Sequence, residues 1–443
     1  MSGLRLALGA LLAGMLLGAL RPAHGAEADP PPDEPPPEDA PADPGTGPAR
    51  DHPLIELPHL FQSGVRDTRF AVPDLAPDQI LFARVDTPVV TIRPGMELII
   101  DYTAFGQNDD SIAQVGRQDS GFEVRSADIK LNGEFGPKRR LGYKLGLAFN
   151  GFSADTGQSI VVTDVNISFA LPRWRTSVRI GQMREDFSYE VVGSTATLPQ
   201  SERILTPFAS PVNTGLKVTH VLGGNRRATL TYGLFRDDWG EGDGGVALSV
   251  RGTMLVIDRP RHFLHLGVGM RRADIRETTR YTARPGVHAA EPFLDTGEFA
   301  ASGTVHFGLE AHYALGPVSV IAEIASARPD VPDASNPVFR GHYVLGSWVL
   351  TGEHREYDRS DGSLKRIMPD GRWGAVEVVA RLAAVNLDSN GIDGGSYVRL
   401  EGGANWWATT RWKFGMLYGT IWLDRFGETG RTRSLLSRLQ WVF

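Results

Sequence analysis

Arg175, Arg179, Arg251, Arg271 and Arg399, with Lys144 and Lys413, stand on the polar side of segments whose residues alternate in character. A guanidinium is a planar fork that binds two oxygens of an oxyanion and stays charged, and an ammonium adds a compact point charge. Along one passage these groups would form a basic track for anions. The same polar sides carry Glu97, Asp128, Asp164, Glu310, Glu323, Glu377 and Glu401, so ion pairing between neighbouring strands is the competing expectation. Arg184 and Arg203 fall in an aperiodic stretch, 183–214, beside Glu185, Asp186, Glu190 and Glu202. There they would either select ions or brace the segment. A second group, His354, Arg355, Arg359, Lys365, Arg366 and Arg372, lies between Gly352 and Trp373. It makes either a solvated turn or a basic vestibule. Nucleophilic catalysis needs a base and an orienting group near the nucleophile. His265, His306 and His312 are present, but no Gly-x-Ser-x-Gly elbow and no His-Glu-x-x-His helix occurs. An enzyme is therefore not expected, and no cofactor or metal is called for.

The elements that must position these groups are strands. From Trp174 to Gln182, Trp174, Thr176, Val178 and Ile180 share one face, while Arg175, Ser177 and Arg179 share the other. Period-two alternation marks a strand with two unlike surroundings. Such segments start near Met96, Gly121, Leu141, Ile160, Arg175, Gly215, Ala228, Ala247, Phe263, Ser302, Val318, Gly341, Gly374, Tyr397, Arg411 and Ser434. One face of each is apolar, as with Leu98, Ile100, Tyr102 and Ala104, or Leu264, Leu266, Val268 and Met270. The other carries Gly, Ser, Asn and charges.

A soluble sandwich also alternates, but three features favour a membrane barrel. The connectors alternate between tight ones (136–140, 171–173, 223–227, 258–261, 316–317 and 408–410) and long ones such as 183–214 and 273–301. Trp174, Trp406, Trp407, Trp412 and Trp441 lie at strand ends, as interfacial girdles do. Leu435, Leu439, Trp441 and Phe443 share one face of the last strand, and a terminal aromatic closing such a strand is the kind of signal by which barrel-assembly machinery recognises its clients. The fold class is therefore all-β: a transmembrane antiparallel β-barrel of about sixteen strands over 96–443. In hydrocarbon every backbone N–H and C=O must be paired, so the sheet closes on itself, and about sixteen strands leave an aqueous lumen.

Ahead of the barrel, Arg5, an apolar run from Leu6 to Leu20 and small residues near 23–28 have the layout of a secretory signal peptide, taken as 1–26. Residues 27–50 are rich in Pro, Asp and Glu and cannot bury a core, so a disordered periplasmic linker is expected, followed by an N-terminal segment over 51–95. Of the formal charge of -6, the first fifty residues hold three Arg against seven acids, leaving 43 basic and 45 acidic residues for the remainder. That balance argues against nucleic acid as a partner. No residue is cysteine, which suits an oxidising compartment as well as any other.

The ordered set Gly181-Gln182, Phe187-Ser188, Glu190, Glu202-Arg203, then 343–353 with Tyr357, Gly374 to Glu377, Ala380-Arg381, Gly403 to Trp406 and the closing Arg438 to Phe443 resembles the phosphate-selective porin O/P family. The resemblance implies an integral outer-membrane porin of a Gram-negative bacterium, usually trimeric, passing small anions or polar solutes by diffusion. It also implies that the third external loop, here 183–214, folds into the lumen as the constriction. Family members often carry Arg at two inward positions of the second strand and before the glycine opening the sixth. Here Ser126, Asp128 and Asn213-Thr214 stand there, which argues against a tight phosphate site. A general non-selective porin and a structural, partner-binding barrel are the alternatives.

Overall fold

The computed structural model describes residues 85–149, 161–209, 212–237, 245–332 and 335–443. The expected signal peptide and linker, and residues 51–84 of the segment after them, lie outside the described residues. Sixteen strands form one antiparallel sheet: β1 (Val90–Gln107), β2 (Gly121–Phe135), β3 (Leu141–Phe149), β4 (Val161–Leu171), β5 (Thr176–Met183), β6 (Asn213–Leu222), β7 (Ala228–Asp237) and β8 (Gly245–Arg259). They continue as β9 (His262–Asp274), β10 (Gly303–Leu315), β11 (Val318–Pro329), β12 (Phe339–Val349), β13 (Ala375–Ser389), β14 (Ile392–Trp407), β15 (Trp412–Arg425) and β16 (Glu428–Val442). Each pairs with its sequence neighbours. β1 pairs with β16 from Glu97↔Val442 to Gln107↔Thr432, so the barrel is closed and has no free edge. A two-residue strand, Val85–Asp86, adds to β1.

The alternation seen in sequence decides which face meets which surroundings. Leu145, Leu147, Leu266, Val268, Met270 and Ile324 are exposed on the outer wall, where hydrocarbon would cover them. Ser249, Arg251, Thr253, Glu323 and Arg399 alternate with such residues and are buried inside. On β16, Leu435, Leu439 and Trp441 are half-buried on the outward side, while Leu436, Arg438 and Gln440 point in. Phe443 extends this pairing: its N–H donates to the Met96 carbonyl at 2.8 Å, and its own carbonyl accepts from the Met96 N–H at 3.2 Å.

Several sequence expectations are corrected. β1 starts at Val90 rather than Met96, β14 at Ile392 rather than Tyr397, and β16 at Glu428 rather than Ser434. The early residues of β16 include Glu428, Arg431 and Arg433, and charges hide the apolar alternation although the backbone still pairs with β15. Connectors do not alternate strictly between short and long. Asn390-Gly391 and Phe426-Gly427 close β13–β14 and β15–β16 with both residues at positive φ, the twist-matched two-residue hairpin. Conversely, 350–374 is long at the otherwise short-turn end. Trp407 is no girdle residue: one step from outward-facing Trp406, it points inward, fully buried, and its indole N–H donates to Glu377 at 3.1 Å. Arg175 is a turn residue at φ 48°, not part of the wall of β5.

Candidate functional site

Four described connectors reach inward-facing side chains: 108–120, whose Ser111 hydroxyl lies 2.6 Å from that of Thr432, and the three that build the site. The segment after β5 has no periodicity because it bonds to scattered wall residues and to itself rather than to a neighbouring strand. Glu323 on β11 accepts the backbone N–H groups of Tyr189 at 2.9 Å and Glu190 at 2.8 Å. Those are orphan donors at the start of the single helical turn Tyr189–Val192, so a carboxylate from the wall caps it. Glu190 turns back and accepts from the N–H groups of Ile204 at 3.0 Å and Leu205 at 2.6 Å. His306 Nδ1 donates to the Phe208 carbonyl at 2.8 Å, and His312 Nδ1 lies 2.7 Å from the Tyr189 hydroxyl. Lys413 donates to Leu198 O at 2.8 Å, Asn405 to Pro199 O at 2.7 Å and Arg381 to Glu202 O at 2.8 Å. Glu185 binds Arg271 of β9 at 2.9 Å.

The tightest anchor is ionic. Arg438 of β16 grips Asp101 of β1 and Glu202 of the segment, both at 2.6 Å, and Arg125 of β2 holds Glu202 at 2.8 Å. A bulge puts Arg125 inside: Ile99 pairs with Ser126 but Ile100 with Val124, so the residue between them is extra and turns inward. Burial alone would raise the Glu202 ionisation point, but the two arginines outweigh it and hold that carboxyl below the usual range.

Phe187, Leu198, Ile204, Leu205 and Phe208 pack with Tyr281, Phe293 and Leu294 from the 275–302 connector and with Ile321, Tyr343 and Leu345 from the wall. The third insert holds a small hairpin, Tyr357–Asp358 against Ser363–Leu364. It crosses to β8 and β9. Arg251 donates to the carbonyls of Asp361 and Gly362, both at 2.8 Å, and His265 Nδ1 meets the Tyr357 hydroxyl at 2.8 Å.

Beside this packed region lies a cavity of about 1020 Å³. Its walls come from β1 to β6, from Arg184, Asp186, Val192, Ser194 and Thr195 of the first insert, and from Tyr357 to Asp361 with Lys365 of the third. Nine basic side chains face it against six acidic ones, so its lining is net positive. Lys144 pairs with Asp164 at 2.8 Å, Lys217 with Asp186 at 2.9 Å, and Lys130 with Asp128 at 3.3 Å. Arg179 stands directly across the ladder from Lys217 and has no carboxylate partner among the described residues.

The predicted residues separate accordingly. Lys144, Arg175, Arg179, Arg184 and Lys365 line the cavity. Arg251, Arg271, Arg399 and Lys413 do not, which corrects the single basic track. Each is almost wholly buried: Arg251 pairs with Glu310 at 2.7 Å, Arg399 with Glu401 at 2.7 Å and Arg271 with Glu185, while Lys413 lies 4.7 Å from the Trp407 ring. Such cations are bound to carboxylates and carbonyls and do not line the cavity. Arg203 is likewise bound within its own segment, donating to Glu190 O, Gly193 O and Thr195 Oγ1. Burial and the neighbouring Arg184 lower its ionisation point to about 10, so it stays charged at neutral pH. Arg355 is no solvated turn residue: it pairs with buried Glu377 and donates to Thr197 O at 2.9 Å. Arg366 lies 5.3 Å from the Trp407 ring centre. Lys217, Lys130 and Arg125 were missed, and Arg381 and Arg438 stood in the family resemblance without a site role. Parity on their strands flagged the position of each except Arg125, which only the bulge turns inward.

Residues 97–443 match the family model for phosphate-selective porin O and P. Porin O of Pseudomonas aeruginosa is 23% identical over 400 residues, covering 80% of this chain and 88% of that protein. An uncharacterized protein of Caulobacter vibrioides is 28% identical over 176 residues, which is 38% of this chain and 35% of that one. Among solved structures, the anion-selective porin from Comamonas acidovorans superposes with a TM-score of 0.55 at 9% identity, covering 80% of this chain and all of that one. With the closed sixteen-stranded barrel, the match over 97–443 makes the chain a member of the phosphate-selective porin O and P family, an outer-membrane porin.

Proposed function

We propose that the chain conducts small hydrophilic solutes and ions by passive diffusion, with a mild preference for anions. Its constriction is the 183–214 segment folded into the lumen. The observation that carries this is the cavity lining, where nine basic groups outnumber six acidic ones and Arg179 makes no ion pair among the described residues. A pore wall of one prevailing sign concentrates the opposite ion. The anion-selective porin of the same fold is consistent with it. The Lys144–Asp164 and Lys217–Asp186 pairs favour a mixed wall rather than a dedicated phosphate ladder. Purified protein in a planar bilayer is expected to give stepwise conductance, in triplets if three copies assemble as the family resemblance implies. A salt gradient should give a zero-current potential of anionic sign, and sub-millimolar phosphate should leave the chloride current largely intact. Silence after verified insertion would reject conduction, and strong phosphate block would replace mild preference by specific binding.

The outward Leu435, Leu439, Trp441 and Phe443 serve in this proposal as the assembly signal read by the insertion machinery. Phe443→Asp places a charge at the lipid-facing end of the last strand, where the direct cost is at most about 1 kcal/mol, so a large loss would reflect recognition rather than burial. A lower yield of heat-modifiable barrel in the outer membrane is expected. Unchanged yield would remove that role.

A further inference from the structure

Apart from 350–374, the connectors at one end of the barrel are 136–140, 172–175, 223–227, 260–261, 316–317 and 408–411. Together they hold nine Lys or Arg and no Asp or Glu. The described connectors at the opposite end hold six Arg against twelve Asp or Glu. Four of the nine basic residues, Arg139, Arg175, Arg226 and Arg261, have φ of 46°, 48°, 57° and 56°. In that left-handed conformation Cβ crowds the backbone, and Gly or Asn would take the turn at lower cost. Four successive turns therefore hold arginine against the steric preference of the backbone, Arg139 pairing with Asp86 and Arg175 and Arg261 donating to the carbonyls of Gly223 and Gly352. Lys138, Arg140, Arg173 and Arg411 are exposed and have no carboxylate partner among the described residues.

Aromatic rings stand at the same strand ends. Phe135, Trp174, Trp348, Trp373 and Trp412 are exposed, Trp174 by 67%. Trp174 lies between Arg173 and Arg175 in sequence, Arg411 lies 4.8 Å over the Phe443 ring, and Arg372 lies 5.8 Å over that of Trp373. Rings of this kind mark the boundary between hydrocarbon and headgroups, and cations beside them meet headgroup phosphates.

We propose that this end of the barrel is a docking surface for anionic phospholipid headgroups of the leaflet that surrounds it. A soluble or cell-wall polyanion would be held by charge alone, whereas here cations are set beside exposed rings on the membrane-facing rim. The proposal goes beyond conduction and does not depend on it.

The test uses the whole porin reconstituted in phosphatidylcholine vesicles, with and without added phosphatidylglycerol, and follows the temperature at which the folded band is lost on a gel. The parent is expected to unfold at higher temperature with phosphatidylglycerol, and the gain should shrink at high salt. A quadruple variant, Lys138→Gln with Arg140→Gln, Arg173→Gln and Arg411→Gln, should lose most of the gain. Arg139→Gly with Arg261→Gly gives a second readout. In detergent it should unfold close to the parent's temperature, because the relaxed turns offset the lost Asp86 pair and Gly352 bond, yet it should gain less from phosphatidylglycerol. An equal unfolding temperature of the parent in both vesicles would overturn the proposal. So would a full gain in both variants. Binding of isolated peptidoglycan that is lost in the quadruple variant, with no lipid effect, would assign the surface to that polymer instead.

Discussion

Arg438→Met is expected to lower barrel stability more than any single change in the cavity wall. Arg438 joins the last strand to the first through Asp101 and to the 183–214 segment through Glu202 and the Ser201 carbonyl. Asp101 is fully buried and Arg438 nearly so. Removing one partner of a buried pair leaves the other charge without compensation, at a cost of about 3–5 kcal/mol. Glu202 keeps Arg125, but Asp101 loses its only ion pair among the described residues. The seam between β1 and β16 should weaken, seen as an earlier loss of the folded band on heating. The triple change Arg438→Met, Asp101→Leu and Glu202→Leu, which removes the carboxylates as well, should recover part of the loss. A single variant as stable as the parent would show that the seam rests on backbone pairing alone.

Arg179→Glu is expected to move the zero-current potential in a salt gradient toward cations, and Arg184→Ala should add to it. Both residues line the cavity, and neither has a carboxylate partner among the described residues. Arg184 donates to the Val191 carbonyl at 2.9 Å and makes no ion pair among the described residues, although the charges of Asp164, Asp186, Glu97 and Asp128 reach it. A unit charge acts on an ion 4 Å away with about 4 kcal/mol at an effective dielectric near 20, and salt reduces this. Reversing Arg179 changes that interaction by two charges. Arg399→Ala should leave selectivity alone and lower stability instead, because its guanidinium is buried on Glu401 and the Pro285 carbonyl. If Arg399→Ala shifts the potential while Arg179→Glu does not, the current runs through the region that the 183–214 and 275–302 segments fill, and the cavity beside them is not the path.

Local periodicity determined much of this molecule. Thirteen of the sixteen strand starts fall within two residues of where the alternation places them, because a strand between lipid and water repeats the contrast at every second residue. The outward face of the last strand and the inward carboxylates Glu310, Glu323, Glu377 and Glu401 were legible for the same reason. Which charges stay available to a solute was not. Arg179 and Arg399 have the same parity on their strands, yet one faces open space and the other lies beneath a folded insert. Parity fixes the face of the wall, whereas the inserts decide which stretch of that face meets water. Their placement rests on contacts far apart in sequence, such as Tyr189 with Glu323 and Arg251 with Gly362, which leave no periodic trace. The bulge that turns Arg125 inward is equally silent, since one extra residue shifts parity without any change in composition. Sequence alone thus determined the barrel and its inward charges, and the tertiary packing of 183–214, 275–302 and 350–374 decided which of those charges became structure and which line the cavity.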